Sequence, residues 1–208
     1  MTDAILLLGP TASGKTPLGD LLQRRGLWGR PCAHFDFGAE LRAAAARSSL
    51  GADLAGADLA LIRSVLQAGR LLDDHEFHIA RGILRQFLAD RHADAATLVI
   101  LNGLPRHAGQ AEAMADLLGV LAVVELSCDA ETVLERIRTD PAGDRAQRND
   151  DHLDAVRRRL VIYGQRTAPL VDYYRRRGTR ILTLDVSPTT RPQQLVAQLD
   201  ALGGSSGV

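Results

Sequence analysis

Lysine is almost absent from this sequence: of 25 Lys and Arg residues in a chain of 208, Lys15 alone is a lysine. Surplus charge is absent too, since 25 Asp and Glu balance the bases. A protein that binds nucleic acid without regard to sequence needs positive charge to neutralise phosphates, so that class is disfavoured. Cysteine is scarce. Cys32 and Cys128 stand far apart, fit no metal spacing and read as ordinary reduced thiols, so no zinc site is expected. Nor is there a long apolar run: MTDAILLLGP carries a stretch too short for a membrane span and passes directly into a loop with no cleavage site, which predicts a cytoplasmic protein. Internal repeats are missing, and alanine richness is the one compositional bias along the chain. With 46% apolar residues the chain can bury one sizeable core, so a single domain over 1–202 is expected, with a disordered tail at 203–208.

The lone lysine falls inside GPTASGKT, Gly9 to Thr16, which has the form G-x-x-x-x-G-K-[ST]. A single lysine lands on that one position by chance about 1 time in 200. The residue type also suits the task, because an ammonium on a thin stem threads between phosphates where a guanidinium fork is too broad. The apolar run before the motif and the helical pattern after it supply the strand–loop–helix context that a phosphate loop requires. Gly9 and Gly14 let the backbone, with Thr11, Ala12 and Ser13, fold into a nest of N–H groups at a helix N-terminus. Lys15 is expected to bridge the outer phosphates and Thr16 to offer its hydroxyl to Mg²⁺. The partner implied is a nucleoside triphosphate.

Short apolar runs alternate with longer helical stretches, the pattern of a parallel sheet covered on both faces. Strands are predicted at Ala4 to Leu8, Cys32 to Phe35, Thr97 to Leu101, Val120 to Leu126 and Thr179 to Leu184. Helices are predicted at Lys15 to Arg25, Gly38 to Arg47, Asp58 to Ala68, Asp74 to His92, Gly109 to Leu118, Ala130 to Arg138, Asp151 to Arg177 and Arg191 to Leu202. Pro169 should kink the seventh of these into two. One crossover helix does not need all the residues between Phe35 and Thr97, so 36–73 reads as an inserted helical lobe. TDPAGDRAQRN, 139–149, is polar, bears glycine and proline, and reads as a mobile flap.

The stretch LNGLPRHAGQAE, Leu101 to Glu112, resembles the adenylate kinase family of nucleoside monophosphate kinases, whose pattern here is Asp-Gly-Phe-Pro-Arg followed after three residues by Gln. Arg106 and Gln110 match at that spacing. RNDDHLDAVRRRLVIYGQRTAPLVDYY, Arg148 to Tyr174, is similar to the family's stretch after the flap, and GAELR, Gly38 to Arg42, is similar to its Thr-Gly-Asp-x-Leu-Arg. The resemblance runs from Ala4 to about Leu199 and is to the short-flap form. It implies an α/β, P-loop NTPase-type fold: a five-stranded parallel sheet with helices on both faces, a helical NMP-binding insertion and a short lid. The implied reaction moves the γ-phosphoryl group of ATP to a nucleoside monophosphate, AMP first, by a monomer that needs no nucleic acid or membrane. By the same resemblance Arg42 and Arg106 grip the acceptor phosphate, with Gly38 beside them, and Gln110 reads the adenine edge. Arg148 and Arg159 contact the transferring phosphates, Asp150 and Asp151 close the flap, and Arg136 lays its plane on the donor adenine.

The abundance of arginine fits this chemistry. An acceptor phosphate is already an anionic oxygen, so no general base is obligatory, and the protein's work is to bring two charged groups into line and offset their repulsion. Permanently charged forked guanidinium groups suit that work. Five positions depart from the family. Asn102 stands where an aspartate orients water on Mg²⁺ and is expected to meet the metal through water in its place, and Thr16 follows Lys15 where glycine is usual. Phe37 and Ala39 replace Thr and Asp in the acceptor lobe, and Asp140 replaces a flap arginine whose role falls to Arg138 or Arg145. Two other readings stay open on the sequence. Asn102 is compatible with an adenylate kinase-like nucleotide binder of weak or no transfer activity, and GPTASGKT also resembles the opening of tRNA prenyltransferases.

Overall fold

The computed structural model describes residues 2–47, 54, 56–68, 70, 72–143 and 153–203. Five parallel strands form one sheet: β1 (Thr2–Leu8), β2 (Cys32–Asp36), β3 (Leu98–Asn102), β4 (Leu118–Ser127) and β5 (Arg180–Asp185), in the spatial order β2-β3-β1-β4-β5. The helices are α1 (Lys15–Arg25), α2 (Phe37–Ala46), α3 (Gly56–Ala68), α4 (Phe77–Asp90), α5 (Ala108–Ala113), α6 (Ala130–Thr139), α7 (Leu153–Ile162), α8 (Pro169–Arg176) and α9 (Pro192–Gly203).

The central strand shows why the apolar runs are unbroken. Residues alternate sides along a strand, and a sheet covered on both faces needs apolar side chains on each. Ala4, Leu6 and Leu8 of β1 join the core under α2, α3, α4, α5 and α8, whereas Ile5 and Leu7 join the core under α1 and α9. The sheet order also fixes where a ligand sits. From β1 the chain first crosses over to β2 and returns to β3 on one flank, then places β4 on the other, so a crevice opens beyond the carboxyl ends of the strands next to β1. The phosphate-loop motif lies at that point.

Several expected boundaries move for physical reasons. The helix predicted over Gly109 to Leu118 stops at Ala113, because Leu118 is claimed by β4, where it pairs with Thr2. The long helix predicted from Asp151 is two helices, as the proline implied. The break takes the form of a π-helical turn, Tyr163–Thr167, in which the Ala168 N–H donates to the Tyr163 carbonyl at 2.8 Å, and Pro169 opens α8, where no N–H is required. Helix α4 is preceded by a 3₁₀ turn, Asp74–Glu76, closed by a capping box between Asp73 and Glu76. Gly203, expected to open the tail, is instead the last residue of α9, packed against Trp28, and 204–208 lie outside the described residues. Strand β2 runs one residue further than expected, to Asp36, which brings that side chain level with Asn102 on β3. Neither cysteine forms a disulfide, and burial pushes both thiols up to about 11.

Candidate functional site

The loop Gly9–Thr16 leaves β1 at its carboxyl end and runs into α1. It is folded so tightly that a side chain at Gly9, whose φ is 153°, would come within 2.7 Å of the Ser13 hydroxyl and 3.0 Å of Leu126. Ala12 and Gly14 adopt left-handed conformations, φ 61° and 98°, the alternation of hand that turns successive N–H groups towards one point. The Lys15 ammonium lies across this loop and donates to the carbonyls of Gly9 at 2.7 Å and Pro10 at 2.6 Å, with Ser13 Oγ at 3.3 Å. It is therefore held over the mouth of the nest by the loop itself.

Arg136 braces the outer side of the loop. It is 3% exposed, and its guanidinium donates to three carbonyls: Ala12 through Nε at 2.7 Å, and Ser187 and Thr190 through Nη1 at 2.9 and 2.8 Å. A planar fork is the side chain that can serve three separate carbonyls at once. The sequence reading gave Arg136 a place against the donor base. The structure adds a bracing task, tying α6 to the phosphate loop and to the turn before α9, with the same side chain on the wall of the cleft.

At the foot of α1 three side chains from three elements meet. Thr16 Oγ1 donates to Asp36 Oδ2 at 2.7 Å, and Asn102 Nδ2 donates to Asp36 Oδ2 at 2.8 Å and to Thr16 Oγ1 at 3.0 Å. Asp36 Oδ1 accepts from the Ala39 N–H at 3.0 Å and so caps α2. Sequence reasoning passed over Asp36 while it marked its neighbours Phe37 and Ala39 as departures. The signal available was a charged residue closing a strand expected to lie near the phosphate loop.

The segment after β3 forms the next part of the wall. Gly103 takes a φ of 84°, the Leu104–Pro105 peptide is cis, and the chain turns back so that Arg106 Nε donates to the Gly103 carbonyl at 3.0 Å. Gln110 reaches back from α5, its Oε1 accepting from the Arg106 N–H at 2.9 Å. Burial lowers the Arg106 pKa from its ordinary value, while the Asp36 charge opposes the shift and the nearby Arg166 adds to it. A cation under that penalty is better served by an anion in the cleft than by solvent.

These groups border one cleft of about 820 Å³. The phosphate loop and Arg136 line part of it. Arg42, Arg70, Arg106, Gln110 and the apolar Phe37, Val65 and Phe77 line it as well, as do Thr16, Asp36 and Asn102. Gly38, at the start of α2, also faces the cleft, and Asp140 and Pro141 stand at its rim beside α6. Arg70 was missed by the sequence reading. It is committed to Glu76 through two hydrogen bonds of 2.6 and 2.7 Å, and these hold the Glu76 carboxyl down to about 2 against the opposing effect of burial.

The structure does not bring every expected residue to the cleft. Arg159 lies on α7, apart from the lining residues, with its Nε on the Ala155 carbonyl one turn back at 3.3 Å. Arg138, one candidate for the flap role, is paired with Glu135 at 2.6 Å. Arg145, Arg148, Asp150 and Asp151 fall outside the described residues, as does most of the expected flap. Among the described residues, no helix is long and apolar enough to cross a membrane. One trio, Asp73, His75 and Glu76, is spaced as metal ligands can be, but Glu76 is already taken by Arg70 and by the Asp73 N–H at 2.7 Å.

Comparison with known proteins agrees with this geometry. The family model described as "Adenylate kinase" matches residues 7–179. The chain is 39% identical over 184 residues to an adenylate kinase of Stenotrophomonas maltophilia (strain R551-3), covering 84% of this chain and 87% of that protein. It is 34% identical over 192 residues to one of Parvibaculum lavamentivorans, covering 87% and 83%. With one of Synechococcus sp. (strain WH7803) it shares 31% identity over 208 residues, covering 97% and 98%.

Proposed function

The chain belongs to the adenylate kinase family of nucleoside monophosphate kinases, and we propose that its own reaction is ATP + AMP = 2 ADP. The observation that carries this reading is the single cleft that joins the nest with the only lysine to two further cations, Arg42 and Arg106, with the neutral Gln110 amide beside them. Two anions held at opposite ends of one cleft are what phosphoryl transfer between nucleotides requires.

In this reading the loop N–H groups and Lys15 hold the outer phosphates of ATP, and Lys15 exchanges the carbonyls it now bonds for phosphate oxygens. Arg136, held flat by its three carbonyls, offers its face to the donor base. Arg42 and Arg106 clamp the acceptor phosphate so that its oxygen faces the γ-phosphoryl group in line. The Arg106 N–H fixes the Gln110 amide with its oxygen inwards. Its NH₂ group is left to donate to a ring nitrogen of adenine, and the second lone pair of Oε1 to accept from the adenine amino group. The segment over 36–73, which contributes α2 and α3, serves as the acceptor lobe. The segment 139–149 serves as the lid, closed by Asp150 and Asp151, and lid closure carries Arg148 and Arg159 to the transferring phosphoryl group and excludes water. The kinase unit is the whole of 1–202, acting as a monomer.

The site also fits Mg²⁺. Thr16 Oγ1 gives its one proton to a carboxylate and keeps oxygen lone pairs, a hard donor beside negative charge. Thr16 and Asp36 would hold the ion there, and its positive charge would offset that of the ATP phosphates. A carboxylate at this point weighs against a binder without transfer activity, whose main support was Asn102, and the family match weighs against the prenyltransferase reading.

The test is an acceptor panel: the full chain with ATP, Mg²⁺ and each of AMP, GMP, CMP and UMP, the products resolved by chromatography. AMP should give the highest kcat/KM. CMP or UMP exceeding AMP would overturn the proposed acceptor, and no diphosphate from any of the four would overturn the reaction.

A further inference from the structure

We propose that Asp36 is the carboxylate of the magnesium site in this chain, doing from the end of β2 the work that the family pattern assigns to the end of β3, and that Asn102 serves only to position it. The inference rests on the kinase reading above but turns on different atoms.

A carboxylate only accepts, so the Asn102 amide face turned to Asp36 at 2.8 Å must be the NH₂ group. That nitrogen turns its N–H edge to both Asp36 Oδ2 and Thr16 Oγ1, which lie only 2.7 Å from each other. The face of Asn102 in this cluster therefore has nothing to offer a cation or to accept from a water bound to one. Thr16 Oγ1 has one proton, given to Asp36 at 2.7 Å, and two lone pairs, of which Asn102 uses one. One lone pair remains for a metal. Asp36 takes two donors on Oδ2 and one on Oδ1, which leaves about one of its four lone-pair sites for a metal-bound water. It is the one carboxylate among these three side chains.

The sheet explains how the charge can change strands without leaving the site. Asn102 is the register partner of Leu7 on β1 and of Asp36 on β2, so the last residues of β2 and β3 lie side by side next to the phosphate loop. Moving an acid from one to the other shifts it by one strand spacing, about 4.8 Å. A cap on α2 alone would need only Oδ1. Oδ2 instead gathers donors from α1 and β3.

The variant Asp36→Asn removes the charge and keeps the cap, since asparagine caps helices as well as aspartate does. Metal affinity is read by Mn²⁺ paramagnetic resonance on the full chain with the β,γ-imido analogue of ATP, and activity by the Mg²⁺ concentration for half-maximal ADP formation. Loss of a carboxylate that holds metal-bound water should weaken Mn²⁺ about 10–100-fold. Binding of the analogue without metal should not weaken, because a negative charge near its phosphates has gone. The exchange variant Asp36→Asn/Asn102→Asp should recover most of the Mn²⁺ affinity. Asn102→Ala gives a second, independent reading: it should weaken Mn²⁺ less than Asp36→Asn. An Asp36→Asn chain with Mn²⁺ affinity within about twofold of the unaltered chain, or an Asn102→Ala chain that loses more, overturns the inference. Normal Mn²⁺ binding with no ADP formed in the unaltered chain would instead refute the kinase reaction and leave the metal assignment standing.

Discussion

Replacing Arg136 by methionine should cost stability and ATP binding together. The side chain is almost fully buried, and all three of its named acceptors are backbone carbonyls, at 2.7, 2.8 and 2.9 Å. Each hydrogen bond from a charged donor contributes about 1.5–3 kcal/mol, and a carbonyl left buried without a partner loses at the upper end of that range. Part of the loss is offset because methionine fills similar volume and no buried charge remains, so the net cost is about 3–5 kcal/mol. For a chain of this size each kcal/mol lowers Tm by about 2–4 °C, which places the expected drop near 10 °C. The function should suffer by a separate route. Ala12 holds a left-handed φ of 61°, a conformation alanine rarely takes, and its carbonyl is the one bonded to Arg136 Nε. Released from that bond, the loop relaxes away from the nest, and KM for ATP should rise at least about tenfold, the equivalent of 1.4 kcal/mol, with KM for AMP unchanged. Arg136→Lys should fall close to methionine, because one ammonium cannot span all three carbonyls. Circular-dichroism melts and initial rates measured well below Tm check both parts. A Tm within 2–4 °C of the unaltered chain would refute the bracing argument. A large Tm drop with unchanged KM for ATP would refute the link between the brace and the phosphate loop.

Lys15→Ala should lower kcat by about 10²–10³-fold, and Lys15→Arg nearly as much, while thermal melts change little, since the ammonium's bonds to the Gly9 and Pro10 carbonyls tie the loop to itself rather than to another element; a Lys15→Ala chain with unaltered turnover would contradict its role at the phosphates. Glu76 is held down to about 2 from an ordinary value of 4.5, chiefly by its hydrogen bonds to Arg70. A lowered folded-state value means stabilisation that is present in full above about pH 4.5 and lost as pH falls towards 2. Chemical denaturation between pH 6 and pH 2.5 should therefore fall more steeply for the unaltered chain than for Glu76→Gln, and parallel curves would show that the Arg70 pair contributes nothing there.

The parts of this molecule that depend on neighbours in sequence were legible from it. The phosphate loop needed only eight consecutive residues, and the strands needed only apolar runs long enough to be covered twice, as Ala4 to Leu8 are. What escaped depends on register between distant segments. Asp36 and Asn102 are 66 positions apart, and only the β2–β3 pairing makes them neighbours. The bracing by Arg136 joins positions 124 apart, so periodicity along α6 could assign a buried arginine but not its acceptors. The overlong helix after Gly109 is the converse case. Local pattern favoured helix through Leu118, and pairing of that residue with β1 decided otherwise.

The most direct test of the account follows the phosphoryl group itself. The full chain is incubated with ATP labelled in its γ-phosphoryl group, unlabelled AMP and Mg²⁺, and the label is traced before equilibrium is reached. The account predicts that label appears in the β-position of ADP at the rate at which AMP disappears, with little inorganic phosphate released. Label that remains in ATP, or that passes only to inorganic phosphate, would contradict it.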